Sequence, residues 1–189
     1  MAGLGDVSFT TVPGLPWAAP AVAVRTDFPV LACLASQHPG WAVDVKRYSA
    51  MASGPMRATA GKEALFETIG HQDAEPVVVG VLEGPQLPNS EVCEYLARQC
   101  GTTPPALTLL ATRTASLAGA VYTVARTVQT VMHKLLTLEF ELDHVESGFG
   151  VAPLPPVGND VPLRSAHAAL WAQAITAPKT RELLDRPQA

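Results

Sequence analysis

Hydrophobic and polar positions alternate or carry β-branched residues over 6–12 and 21–26, which predicts two neighbouring strands joined through the PGLPWAAP turn. Asp27, ahead of Phe28 and Pro29, offers a side-chain cap and a proline near the first helical position. A short apolar helix is therefore expected to run to Pro39-Gly40. WAVDVKRY then alternates as a strand, MASGP reads as a small-residue loop, and residues 57–69 suit helix or irregular structure. The continuous apolar run EPVVVGVLE, residues 75–83, is flanked by acids and predicts a strand buried on both faces. Asn89 is placed to cap a helix over 90–100, with Gly101 where a left-handed residue belongs, and 106–111 reads as another buried strand. The strongest periodicity follows: Leu117, Val121, Val124, Val128, Val131, Leu135 and Leu138 step by three and four residues. That spacing predicts one long amphipathic helix over 114–138, packed by this stripe against the sheet. Residues 141–146 suit a strand, and SGFGVAPLPPVGN reads as a glycine- and proline-rich loop. Alternating strands and helices predict an α/β or α+β domain, a layered sheet with covering helices.

Composition narrows the function classes. Only 16% of the 189 residues are charged and 48% are apolar, so the chain has the material for a core and lacks the signature of disorder. Thirteen basic against seventeen acidic residues give a net charge of −4 with no run of either sign, which argues against nucleic acid as a partner. The longest apolar stretches fall short of a bilayer span, and the N-terminus has no basic region leading into an apolar one. The expectation is a soluble cytoplasmic protein with no membrane partner. Cys33, Cys93 and Cys100 show no CxxC spacing, so they read as free thiols rather than a disulfide framework or a zinc knuckle.

Candidate chemistry concentrates on the long helix. At 100° per residue, Tyr122, Arg126, Gln129 and His133 fall in one row opposite the apolar stripe. A solvated helix face is one reading of this row. The other is the wall of a site, because a solvated face normally carries several Lys and Glu, and because Gly119 and Ala115 would let a ligand or another chain approach the backbone closely. Ser53-Gly54-Pro55 followed by Arg57 could offer N–H groups and a guanidinium to an anion, although the same residues mark any turn. His38 reads equally as a helix-end residue, and Glu83 ends a strand where sheet-edge sites often place carboxylates. No HExxH or comparable spacing supports a metal, no GxSxG is present, and Gly148-Phe149-Gly150 lacks the following helix that a dinucleotide fingerprint needs.

Taken together, TDFPVLACLASQHPGW, MASGPMRA, LEGPQLP, TASLAGAVYTVARTVQT and SGFGVAPLPPV resemble, in order and spacing, the methenyltetrahydromethanopterin cyclohydrolases of one-carbon metabolism. The resemblance covers most of residues 3–157 and corresponds to a middle portion of the longer family members. It implies a reaction in which water adds to the methenyl carbon of the cationic pterin coenzyme and the ring opens to the 5-formyl form. That carbon is already an amidinium-type electrophile, so the resemblance implies no metal or organic cofactor: a base that deprotonates water and a cation that tunes it are sufficient.

The family's catalytic arginine and glutamate, three residues apart, fall on Arg126 and Gln129, and a lysine of the archaeal members falls on His38. Ser53, Gly54, Pro55, Arg57, Glu83, Ser116 and Tyr122 are the implied substrate-binding residues. The departure at 129 matters, because a neutral amide hydrogen-bonds water but does not accept its proton at neutral pH. Further on, the family's RTND and Tyr-Gly-Gly fall on RSAH (164–167) and WAQ (171–173), losing polar side chains and both glycines. Residues 1–160 are thus expected to form a partial cyclohydrolase-like domain and 161–189 a diverged C-terminal segment. Two classes stay open: a cyclohydrolase that hydrolyses 5,10-methenyltetrahydromethanopterin to 5-formyltetrahydromethanopterin, or a non-catalytic pterin-binding or subunit-interacting relative that has lost the base. In either case the implied partners are a small-molecule pterin and further copies in a homo-oligomer.

Overall fold

The computed structural model describes residues 4–12, 19–113 and 115–155. In chain order these form β1 (Asp6–Val12), β2 (Ala19–Thr26), a π-helix (Val30–Gln37), β3 (Trp41–Val45), β4 (Tyr48–Ser53), α1 (Pro55–Ala60) and α2 (Ala64–Ile69). There follow β5 (Val78–Glu83), α3 (Ser90–Gln99), β6 (Leu107–Thr112), α4 (Leu117–Val124), α5 (Thr127–Thr137) and β7 (Gly148–Pro153). The result is an α+β fold of two sheets. One is antiparallel with the order β1-β2-β7; the other has the order β3-β4-β5-β6 and is antiparallel except for the parallel β5-β6 pair. Helix α3 makes the crossover that such a parallel pair requires, and it starts as expected, with the Asn89 side chain accepting from Val92 N–H at 3.0 Å. Gly101 beyond its end has φ +64°.

Each sheet has its own core. In the β3-β4-β5-β6 sheet, Val43, Ala52, Val78 and Leu82 pack against Val92 and Leu96 of α3 and Met56 of α1. In the other sheet, Val22, Val24 and Ala152 pack against Ala32, Cys33 and Leu34 of the π-helix and against Val124, Val128 and Met132. The predicted neighbours β1 and β2 do pair, with Asp6 opposite Arg25 and Val12 opposite Ala19.

Several expectations are corrected, each for a physical reason. The single strand expected over WAVDVKRY is a hairpin: Lys46, with φ +54°, turns the chain, and Met51 to Ser53 of the expected loop complete β4. The short apolar helix is a π-helix, and Thr26 rather than Asp27 receives the Phe28 N–H, at 3.0 Å. Strand β5 is not buried on both faces. Val78 and Leu82 face the core, whereas Val79 and Val81 face a cleft of about 1170 Å³, and β6 is likewise half exposed. Residues 141–146 hold a 3₁₀ turn, Leu142–His144, instead of a strand.

The glycine-rich stretch is β7, not a loop, and its glycines serve close packing. A Cβ on Gly148 would lie 2.5 Å from Val128 Cγ1, and one on Gly150 would strike Thr127 Oγ1. The long helix is broken in two at Ala125 (φ −63°, ψ −8°) and Arg126 (φ −84°, ψ 14°). The stripe is buried at Val124 and Val128, partly buried at Val121 and Leu135, and exposed at its ends, Leu117 and Leu138.

Val128 sits between Gly148 and the second core. Val128→Asp places an unpaired charge there and is expected to cost about 3 kcal/mol or more. Urea denaturation checks this; an unchanged midpoint would rule the packing out.

Candidate functional site

The break between α4 and α5 organises the site. In an uninterrupted helix the Ala125 carbonyl would be used within the helix; here it accepts from Gln37 Nε2 at 2.9 Å, a buried bond across 88 residues of sequence. Arg126 follows at the break, 13% exposed, and its guanidinium forms an ion pair with Glu83 at the end of β5, itself 8% exposed. The guanidinium also lies over the Tyr122 ring, 4.6 Å from its centroid, and the Tyr122 hydroxyl meets Ser53 Oγ at 2.5 Å. Ser53, Val81 and Glu83 share one face of the sheet, since Ser53 is opposite Val81 and Glu83 lies two residues on. Arg126 Nε is buried without an acceptor among the described residues. Burial lowers the Arg126 guanidinium from its usual value to about 10. The Tyr122 phenol is raised by burial, an effect opposed by the Ser53 hydrogen bond and by Arg57.

One helical turn further on, the row meets the end of the π-helix. Gln129 Nε2 lies 2.8 Å from His38 Nδ1, and the His133 ring stacks on that of His38, 4.8 Å between centroids and 21° between planes. The His38 N–H donates to the Cys33 carbonyl five residues back, which fixes the ring's attachment point. Burial lowers His38 to about 4, helped by the charges of Arg57, His133 and Arg126. Tyr122, Arg126 and Gln129 are therefore not a solvated face, since each is at least partly buried with a partner; His133 is exposed and meets the row through its stack on His38.

The remaining expected residues divide. Gly54, at φ +87°, turns the chain from β4 into α1 with its Cα against the backbone of Val79 and Gly80, and donates its N–H to Ser36 O at 2.7 Å. Gly54 and Pro55 line the 1170 Å³ cleft together with Gln37 and Tyr122, while Glu83 lines a smaller one of about 550 Å³ with Arg113 and Ala115.

Arg57 is not offered to any anion. It is 1% exposed, its Nε and Nη2 donate to the Glu63 carboxylate, and its Nη1 donates to Leu34 O at 2.6 Å and Ala35 O at 3.1 Å. Ser116 is likewise occupied, capping α4 by accepting from Gly119 N–H at 3.0 Å and donating to Arg113 O at 2.6 Å. Sequence reasoning missed Gln37 and Glu63. Gln37 was visible only as the neighbour of His38, and Glu63 only as the acid nearest Arg57. RSAH and WAQ lie outside the described residues, as does the segment 161–189.

The cyclohydrolase (MCH) family model matches residues 1–164. The chain belongs to that family. It is similar to methenyltetrahydromethanopterin cyclohydrolases from Methylobacillus flagellatus (43% identical, covering 85% of this chain and 49% of the relative) and Methanosarcina mazei (42%, 85% and 51%). The relative from Rhodopirellula baltica is 42% identical over 82% of this chain and 51% of its own length. The chain thus spans about half the length of the curated relatives it matches. Among the described residues no helix is long and apolar enough to cross a membrane, and no group of three or more His, Cys, Asp or Glu is placed to hold a metal ion.

The His38 environment carries a pH prediction. Its value in the folded chain, about 4, lies below the 6.5 of an unperturbed imidazole, so the unfolded chain binds the proton first as pH falls. This contribution to stability is complete above pH 6.5, declines as pH falls, and is lost by about pH 4. Urea midpoints for the parent protein and His38→Gln are expected to diverge less at pH 4 than at pH 7. A constant difference across that window would show that His38 does not titrate this way.

Proposed function

We propose that this chain carries the reacting wall of a cyclohydrolase site that converts 5,10-methenyltetrahydromethanopterin to 5-formyltetrahydromethanopterin. The observation that carries the reading is the convergence of Arg126, Gln129 and His38 at the broken helix, with Glu83 and Tyr122 fixing the guanidinium. The substrate's methenyl carbon is electrophilic without a metal, so the site has only to hold a water beside it, take one of its protons and stabilise the developing alkoxide. Arg126 is suited to the last task. It is buried where its charge is weakly screened, and its Nε has no acceptor among the described residues.

Gln129 would orient the water through its amide. Gly54, Pro55 and Tyr122, at the cleft wall, would bound the pterin, with the buried Ser53 holding the Tyr122 hydroxyl behind them. Arg57 and Ser116 belong instead to the scaffold. The apolar lining contributed by Val79, Val81 and Val121 suits a flat heterocycle more than a highly charged ligand.

The neutral side chain at 129 also favours a second reading, a relative that binds the pterin without turning it over. Gln129→Glu separates the two. The side chains are nearly isosteric, and Arg126 nearby favours the ionised carboxylate. Where the parent binds without turnover, the substitution is expected to raise turnover by about 10²-fold or more with little change in affinity; a parent that turns over by itself carries its base at another residue. Loss of the methenyl chromophore measures the rate and equilibrium binding measures the affinity. Binding by both proteins with turnover by neither would establish the binding-only role, and binding by neither would remove the pterin from consideration.

A further inference from the structure

We propose that His38 is the proton acceptor of this site and that Gln129 is the residue that positions its ring; the proposal rests on the reading above, that water adds here to a cationic carbon. Hydration releases a proton, and the groups around Arg126 differ in whether they can take it. Glu83 is engaged by the Arg126 guanidinium, and Glu63, ahead of α2, is engaged by Arg57. The Tyr122 phenol carries its proton and is joined to Ser53. The Gln129 carboxamide has no basic atom at neutral pH.

Two imidazoles remain, and with His133 exposed on α5 the enclosed one is that of His38. It is half-buried at the end of the π-helix, beside Gln129 and His133 of α5, with Arg57 of α1 and Arg126 bearing on it electrostatically. Those two cations and the burial keep it neutral and ready to accept at neutral pH. Two contacts fix the ring: the hydrogen bond to Gln129 at 2.8 Å sets its rotation in plane, and the His133 stack at 4.8 Å sets the plane itself. Residues 129 and 133 lie one turn apart on α5, so a single rigid element supplies both.

The hydrogen-bonded partner at Nδ1 decides the tautomer. With the Gln129 amide nitrogen turned toward it, Nδ1 accepts and Nε2 carries the hydrogen; a half-turn of the carboxamide presents Oε1 instead, so that Nδ1–H donates and Nε2 is left free. The second state is the reactive one. The water O–H bond breaks, its proton goes to Nε2, and the oxygen bonds to the methenyl carbon. The carbon–nitrogen bond then breaks with its electron pair leaving on the ring nitrogen, which takes the proton back from the imidazolium. The hydroxyl proton passes to solvent as the formyl group forms, so the neutral imidazole is restored and one proton is released overall.

The test uses the full chain with methenyltetrahydromethanopterin. His38→Gln is expected to lower kcat by about 10²-fold or more, with KM within about threefold and folding retained by circular dichroism. Should that variant not fold, Gln129→Ala serves in its place: it keeps the acceptor but frees the ring, and the acid limb of the kcat profile should lie at higher pH than the parent's. Nitrogen-15 NMR of the parent with bound coenzyme should show a neutral His38 in the Nδ1–H form.

Unchanged kcat in His38→Gln, an unmoved acid limb in Gln129→Ala, or an Nε2–H tautomer in the complex would each overturn the proposal while leaving the cyclohydrolase reading intact. Binding without turnover by the parent would overturn the proposal and keep the pterin site. Absence of binding would overturn the functional reading and the proposal with it.

Discussion

Everything at the site depends on one buried cation. Arg57 lies in the interior, where an unpaired guanidinium would cost several kcal/mol in lost hydration, and it is sustained there by partners for Nε, Nη1 and Nη2. Two of those partners are the carbonyls of Leu34 and Ala35, near the end of the π-helix, where a helix leaves acceptors unused. The other is Glu63, and a Cβ on Gly40 would collide with both the carboxylate and the guanidinium. Arg57 therefore holds the last turn of the π-helix and the turn that follows it against α1 and α2. The Phe66 ring, 5.1 Å below the guanidinium, completes the enclosure.

That anchoring propagates through two consecutive residues. Gln37 reaches the Ala125 carbonyl and so supports the interruption between α4 and α5, and His38 reaches Gln129 one turn beyond it. The interruption places Arg126 against Glu83, and Glu83 stands at the end of β5 on the sheet face that looks into the clefts. The π-helix, the broken helix and the β4-β5 edge are thereby tied by hydrogen bonds and one ion pair, and among the described residues the two sheets keep separate apolar clusters. Each cation in the chain of contacts has a carboxylate of its own, and the imidazole between them is neutral. A cationic ligand meets no net positive charge in such a site, although two arginines stand beside it.

Much of this was legible in the sequence, and the failures have physical causes. The polar row on the long helix could be read because the break at Ala125 and Arg126 stays within right-handed dihedral angles, so the spacing of four, three and four still points one way. The break itself could not be read, because the group that satisfies it, Gln37, is 88 residues distant. Arg57 looked available for the same reason: nothing local distinguishes a guanidinium consumed by Glu63 and two carbonyls from one aimed at an anion. The apolar run of β5 was misjudged because a cleft wall and a core layer select the same valines. The glycines of β7 suggested a loop, yet they are there because Thr127 and Val128 approach the strand too closely for a side chain.

Why a site with an amide where a carboxylate would be expected should still be built this carefully follows from the electrophile. Under the proposed function, a methenyl carbon flanked by two nitrogens already bears the positive charge that a metal or a proton would otherwise have to create, so the strength of the base matters less than its placement and its protonation state. Burial makes His38 a weaker base, but it also favours the unprotonated ring at neutral pH. A carboxylate beside a cation is attracted to it whether or not water lies between them; a neutral imidazole fixed by Gln129 and His133 forms no such pair and leaves the cation to the water. The same desolvation that costs stability at Arg57 and Arg126 therefore gives the site its chemistry: fixed dipoles and paired charges, held by the π-helix, in place of mobile solvent.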